Sequence, residues 1–222
     1  MRDISKGEEP NSLVEYRIRE SAGFEDLDNE TKQTLREQLV SEQHGLCCYC
    51  CGRISPDNER MNIEHWRARS SYPEAQLTYR NLLASCKGNP GQPKKFTHCD
   101  HHKGDKALSK NPSNPEHAIE KSISFLSDGT ICSSDKKLNQ ELGGRHYSSS
   151  KTDTGVLNLN APILISNRRS ALDAFKIGLQ KRGSLQKFRL KKLIQEWSGH
   201  EDRKLEPYAP VIAYWLRKRL KR

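Results

Sequence analysis

Apolar residues at Leu35 and Leu39 stand one helical turn apart in an otherwise polar stretch, which predicts a surface helix from Asp28 or Asn29 to Gln43. Asp28 or Asn29 is placed to cap its start, and Gly45 to end it. A shorter helix is expected around Leu13-Val14-Glu15-Tyr16, punctuated by Pro10 and Gly23. From 46 to 110 the pattern breaks into short β-like pieces, Gly52-Arg53-Ile54, Met61–His65 and Asn81-Leu82-Leu83-Ala84, with turns between them. The stretch 88–95, Gly-Asn-Pro-Gly-Gln-Pro-Lys-Lys, reads as an exposed basic loop. Residues 122–126 and 130–133, joined by Ser127-Asp128-Gly129, read as a hairpin, and 143–154 as a flexible connection.

Helical periodicity returns after Pro162, over 163–182, 184–197 and 207–221. Leu185, Phe188, Leu193 and Trp197 are expected to form the buried stripe of the middle helix. The last helix is expected to pack through Ile212, Trp215 and Leu216 and to leave 217–222 outside as a basic tail. The class is therefore α+β: an N-terminal helical segment (1–45), a compact unit (46–110), a hairpin and linker region (111–160) and a basic helical C-terminal region (161–222).

Composition sharpens this picture in two ways. The 222 residues suffice for a real core, yet a mean hydropathy of −0.90 and 30% charged residues exclude a membrane span of about 20 apolar residues. With no apolar secretion signal in the opening Met1-Arg2-Asp3-Ile4-Ser5-Lys6, a cytoplasmic protein is expected. The formal charge of +10 is also uneven: 163–222 carry 16 Lys and Arg against 5 Asp and Glu, so the whole excess lies there. Such a segment suits a polyanion or an acidic partner protein, or is a solvated helical surface.

Seven cysteines, four of them at Cys47, Cys48, Cys50 and Cys51, do not read as a disulfide ladder. Four within five residues of a turn-rich segment have no apolar core to occupy, so thiolates on a metal are expected. Cys47 and Cys50 form one Cys-x-x-Cys knuckle, and Cys86 with Cys99 can complete a structural Zn²⁺ site. Cys48 and Cys51 have the same spacing and remain the alternative pair; Gly52 after the turn favours Cys47 and Cys50. His98 is a substitute ligand, and Cys132 a buried small residue.

Glu64-His65 lies at the end of a β-like piece between the two cysteine pairs. A neutral histidine there can act as a general base, and carboxylates at Glu64 and Asp100 offer hard oxygen ligands for Mg²⁺ or Mn²⁺. Asn81 can orient the loop that carries His65. Phosphodiester cleavage requires this combination of a base for water and a cation for developing negative charge.

The series Cys47-x-x-Cys50, Ile63-Glu64-His65, Asn81-Leu82, Cys86 and Cys99-Asp100-His101-His102-Lys103-Gly104 resembles the HNH, or ββα-metal, endonuclease motif. The resemblance implies a zinc-stabilised ββα-metal core in which His65 and Asn81 serve catalysis and Glu64 and Asp100 hold the divalent ion. His101 or His102 is kept as an alternative to Asp100, because the family commonly has His or Asn at that place. Arg67, Arg69, Lys94, Lys95, Lys103 and Lys106 are the expected phosphate contacts.

The stretches 45–54, 158–168 and 6–10 are further similar to the PtuB family. That likeness implies the nuclease subunit of a Septu or retron-associated anti-phage system, acting with a PtuA-like ATPase and, in some systems, retron components. DNA is the default substrate. The alternatives are an RNA-cleaving nuclease and a zinc-stabilised nucleic-acid-binding or adaptor module without catalysis.

Overall fold

The computed structural model describes residues 1–143, 154–180, 187–199 and 204–221. Helices α1 (Asn11–Arg17) and α2 (Asn29–Glu42) come first. The Asp28 carboxylate caps α2 by accepting from the Thr31 N–H at 2.7 Å, and the left-handed Gly45 closes it by donating to the Val40 carbonyl at 2.8 Å. Strands β1 (Met61–His65) and β2 (Leu82–Cys86) pair antiparallel, with Met61 opposite Cys86 and His65 opposite Leu82. The five-residue helix α3 (Cys99–Lys103) follows. A further helix, α4 (Ile119–Ser122), leads into the expected hairpin, β3 (Ile123–Phe125) with β4 (Ile131–Ser133). The chain continues as α5 (Lys136–Leu142), α6 (Pro162–Gln180), α7 (Lys187–Ser198) and α8 (Ala209–Leu220). The expected connection over 143–154 lies almost wholly outside the described residues, as does Leu185.

Leu35, Leu39 and Val40 of α2 join Leu82, Leu83 and Ala84 of β2 in the main core. The buried Gln43 amide finishes the contact: it donates to the Leu46 and Ala84 carbonyls at 2.8 and 2.7 Å and accepts from the Ala84 N–H at 2.8 Å. The Cys48 N–H also donates to the Ala84 carbonyl, at 3.0 Å. The helix and the cysteine turn are thereby bonded to the outer side of β2.

Asn158 and Asn160 link three elements. Asn158 donates to the Thr97 and Lys95 carbonyls at 2.7 and 3.0 Å, and the Leu157 carbonyl accepts from the Cys99 N–H at 2.9 Å. Asn160 exchanges bonds with the Ile131 backbone, and the buried Arg168 of α6 donates to the Gly129 and Leu159 carbonyls at 2.6 and 2.7 Å. Burial lowers the Arg168 pKa to about 10.

Helices α6, α7 and α8 enclose a second apolar cluster, with Leu172, Leu190, Leu193, Val211, Ile212 and Leu216 buried. The stripe of α7 differs from the expected one. Leu190 and Leu193 are inside and Trp197 packs beside them, whereas Phe188 is 79% exposed. The two readings share Leu193 and Trp197 and part at the start of the helix, where Leu190, three residues before Leu193, takes the inward place expected of Phe188. In α8, Ile212 and Leu216 are buried as expected and Trp215 half-buried. The basic tail is not wholly outside: Arg217 pairs with Glu120 at 3.1 Å and donates to the Ser198 hydroxyl at 2.8 Å. Cys132 is half-buried and not buried as expected: it lies between the buried Ile131 and Ser133, on the opposite face of the strand.

Candidate metal centre and cleft

The Cys47, Cys50, Cys86 and Cys99 sulfurs all lie within 4.8 Å of one another. Cys47 and Cys99 are separated by 3.9 Å and Cys50 and Cys86 by 3.8 Å. A tetrahedron of thiolates around zinc, with bonds of about 2.3 Å, has edges of about 3.8 Å, so the donor set fits that ion. Backbone N–H groups of Cys86 and Gly52 donate to the Cys47 and Cys50 sulfurs at 3.3 and 3.4 Å. Burial opposes ionisation, yet hydrogen bonds from Cys48, Cys50, Cys86 and Cys99 bring the Cys47 thiol well below its usual range. Burial pushes the Cys99 thiol up.

The alternative pair is elsewhere. Cys48 joins the main core, and Cys51 packs with Leu46, Leu205 and Ala209. His98 sits behind the cluster, its Nδ1 3.2 Å from the Cys99 sulfur. Gly88 permits this closure: its φ is +70°, and a Cβ there would stand 2.1 Å from the His98 carbonyl oxygen.

Strand β1 leads from this cluster into an open cleft of about 840 Å³. Asn62 and Glu64, two residues apart, share the strand face that meets α3. Asn62 donates to Asp100 Oδ2 at 2.7 Å. Glu64 is buried and its Oε1 takes two contacts, the Tyr49 hydroxyl at 2.8 Å and the Lys103 ammonium at 2.8 Å. Burial, then the neighbouring Asp100 carboxylate, raises the Glu64 pKa well above the usual range, while Lys103 opposes the rise. Two carboxylates against one ammonium leave a negative charge that a proton or a cation must balance. The oxygen donors fit a hard divalent ion.

His65 is buried on the cleft wall. Its Nε2 lies 2.9 Å from the Gln76 carbonyl oxygen, which can only accept, so Nε2 carries the proton and Nδ1 the lone pair. The Phe24 ring meets the imidazole edge-on at 4.5 Å, and the Phe24 N–H donates to the Gln76 side chain at 3.0 Å. Burial holds the His65 pKa down to about 4. The side chain is therefore neutral at physiological pH.

Asn81 accepts from the Arg67 N–H at 2.7 Å and donates to the Arg67 and Ala75 carbonyls at 3.1 Å. It fastens the loop that carries Gln76. Asp100 lines the cleft with Glu64 and His65. Neither histidine beside it does: His101 is exposed, and His102 is engaged by Thr97 at 2.9 Å and Thr154 at 3.0 Å.

No family model matches the chain. Septu protein PtuB of Bacillus thuringiensis is 28% identical to it over 97 residues, 43% of this chain. The two proteins are similar. The match spans 37% of the relative's own length.

The expected phosphate contacts divide. Lys94, Lys95, Lys106 and Arg67 are exposed, whereas Arg69 pairs with Glu25. Lys103 is a correction: it is 2% exposed, and its ammonium is committed to Glu64 and the His65 carbonyl, the latter at 3.1 Å. It stands four residues after the buried Cys99 on one helix, and that spacing was the signal for an inward side chain. Tyr49 and Gln76 carry no such signal. No described helix is long and apolar enough to cross a membrane.

Proposed function

We propose that this protein is a divalent-metal-dependent endonuclease of the HNH type and the nuclease component of a Septu-like defence system. In this reading 46–110 form the ββα-metal core. The segment 1–45, the hairpin region 111–160 and the helices of 161–222 surround it. The observation that carries the proposal is the neutral His65, its tautomer fixed by Gln76, in one cleft with the Glu64 and Asp100 carboxylates.

Glu64 and Asp100 would hold the Mg²⁺ or Mn²⁺, which when bound supplies positive charge for the phosphate and the leaving oxygen. His65 Nδ1 takes a proton from the attacking water, and the Gln76 carbonyl stabilises the imidazolium through Nε2–H. Lys103 and Tyr49 fix one Glu64 oxygen and leave the other for the ion. The products are a 5′ phosphate and a 3′ hydroxyl. Lys94, Lys95, Lys106 and Arg67 contact phosphates. DNA is favoured over RNA by the HNH resemblance, and a PtuA-like ATPase, with retron components in some systems, is the partner class that follows from the PtuB likeness.

The test is His65→Ala. Cleavage should fall by about 10²–10⁴-fold while zinc content and far-UV circular dichroism stay as in the parent. Undiminished cleavage by this variant would remove His65 as the base, and a parent that never cleaves with Mg²⁺ or Mn²⁺ would leave a zinc-stabilised binding or adaptor module.

A further inference from the structure

The cleft has a second wall that the proposed chemistry does not use. Helix α2 runs along it and contributes Asn29, Lys32 and Arg36, which at spacings of three and four share one helical face. Asn58, from the turn before β1, lies beside them. An Nη of Arg36 donates to Asn58 Oδ1 at 3.2 Å, while its Nε is buried without a hydrogen-bond partner. The Lys32 ammonium donates to the Glu25 carbonyl at 2.8 Å. Both cations are thus held by neutral oxygens. The Glu25 carboxylate at the lip is engaged by Arg69 instead.

Acidic groups and these cations therefore line the same cleft. A carboxylate pair loaded with a divalent ion handles one phosphate, and its neighbours along the strand need separate counter-charges. A guanidinium fork preset by Asn58 and a nearby ammonium have the chemistry for that purpose.

We propose that Lys32 and Arg36, with Asn58 orienting the fork, form a phosphate-binding wall that grips the nucleic-acid backbone beside the bond to be cut. The N-terminal helix is then part of the substrate site and not only a support for β2. This inference rests on the nuclease reading and adds the residues that set substrate affinity.

The experiment uses the full chain with Mn²⁺ and short single-stranded and duplex DNA and RNA oligonucleotides. The double variant Lys32→Ala/Arg36→Ala should raise KM at least tenfold with kcat within twofold of the parent. Placed in the His65→Ala background, it should reduce the slope of log binding constant against log salt by about 1.8 on duplex or about 1.4 on a single strand, as loss of two phosphate contacts requires. The swap Lys32→Arg/Arg36→Lys keeps both charges and should restore most of the slope, which a merely structural role for α2 would not produce. An unchanged KM and salt slope in a folded double variant overturns the wall alone. A parent that neither binds nor cuts any of these oligonucleotides overturns the nuclease reading, and the wall with it.

Discussion

Two polar centres lie at either end of β1, and they are built on opposite plans. The thiol cluster is closed: four sulfurs from the turn at 47–50, β2 and α3 face one another in the interior. The carboxylate centre is open, with Glu64 and Asp100 on the wall of a cleft and an imidazole close by. A closed set leaves no position for a reactant, so its ion can only hold the chain together. The open set has room beside its ligands, and so could serve chemistry once the closed one has fixed α3 against β2.

The most severe way to break this division is to remove the closed centre. Cys99→Ser, or chelation at neutral pH, should abolish the cooperative unfolding transition, since zinc binding of about 10–16 kcal/mol counts as folding energy. Differential scanning calorimetry with metal analysis reads this. A variant that keeps a parental transition without zinc would show that the thiols are only core residues.

A smaller loss is expected at the junction of the two centres. Lys103→Met leaves Glu64 buried beside Asp100 without its ammonium and should cost about 3 kcal/mol at neutral pH. The cost should shrink in acid, where Glu64 takes up a proton. Urea titrations at pH 8 and pH 5 measure both; equal costs at the two values would contradict the charge argument.

The mildest effect sharpens the open centre alone. His65 has a folded pKa of about 4 against an ordinary value of 6.5, so the unfolded chain binds the extra proton first. Its contribution to stability is complete above pH 6.5 and declines as pH falls toward 4, by roughly 2 kcal/mol between pH 7 and 5. His65→Gln should flatten that part of the stability curve. A parental slope in the variant would mean that the imidazole is not desolvated.

The cysteine knuckle was legible because its spacing needs no knowledge of distant chain, and the Gly52 argument selected the pair that meets Cys86 and Cys99. The helix at Asn29–Glu42 and the hairpin were legible for the same reason, through a cap, a glycine and a turn. Lys103 was misread because its partner Glu64 is 39 residues away, and a lysine before glycine looks like surface. The clamp on His65 was hidden too: Gln76 acts through its backbone carbonyl, which any residue type could supply. Lys32 and Arg36 read as the polar side of an amphipathic helix, and only the packing of α2 on β2 turns that side toward a cleft.

The Gln43 amide and the Cys48 N–H, described above as bonds to the Ala84 backbone, have a consequence for the life of the chain outside its native contacts. A two-stranded ribbon with a bare flank is a template for recruiting β-strands from neighbouring molecules. By occupying the ladder positions of Ala84, these groups deny that flank to an incoming strand. Gln43→Ala would therefore be expected to show itself first as self-association on storage.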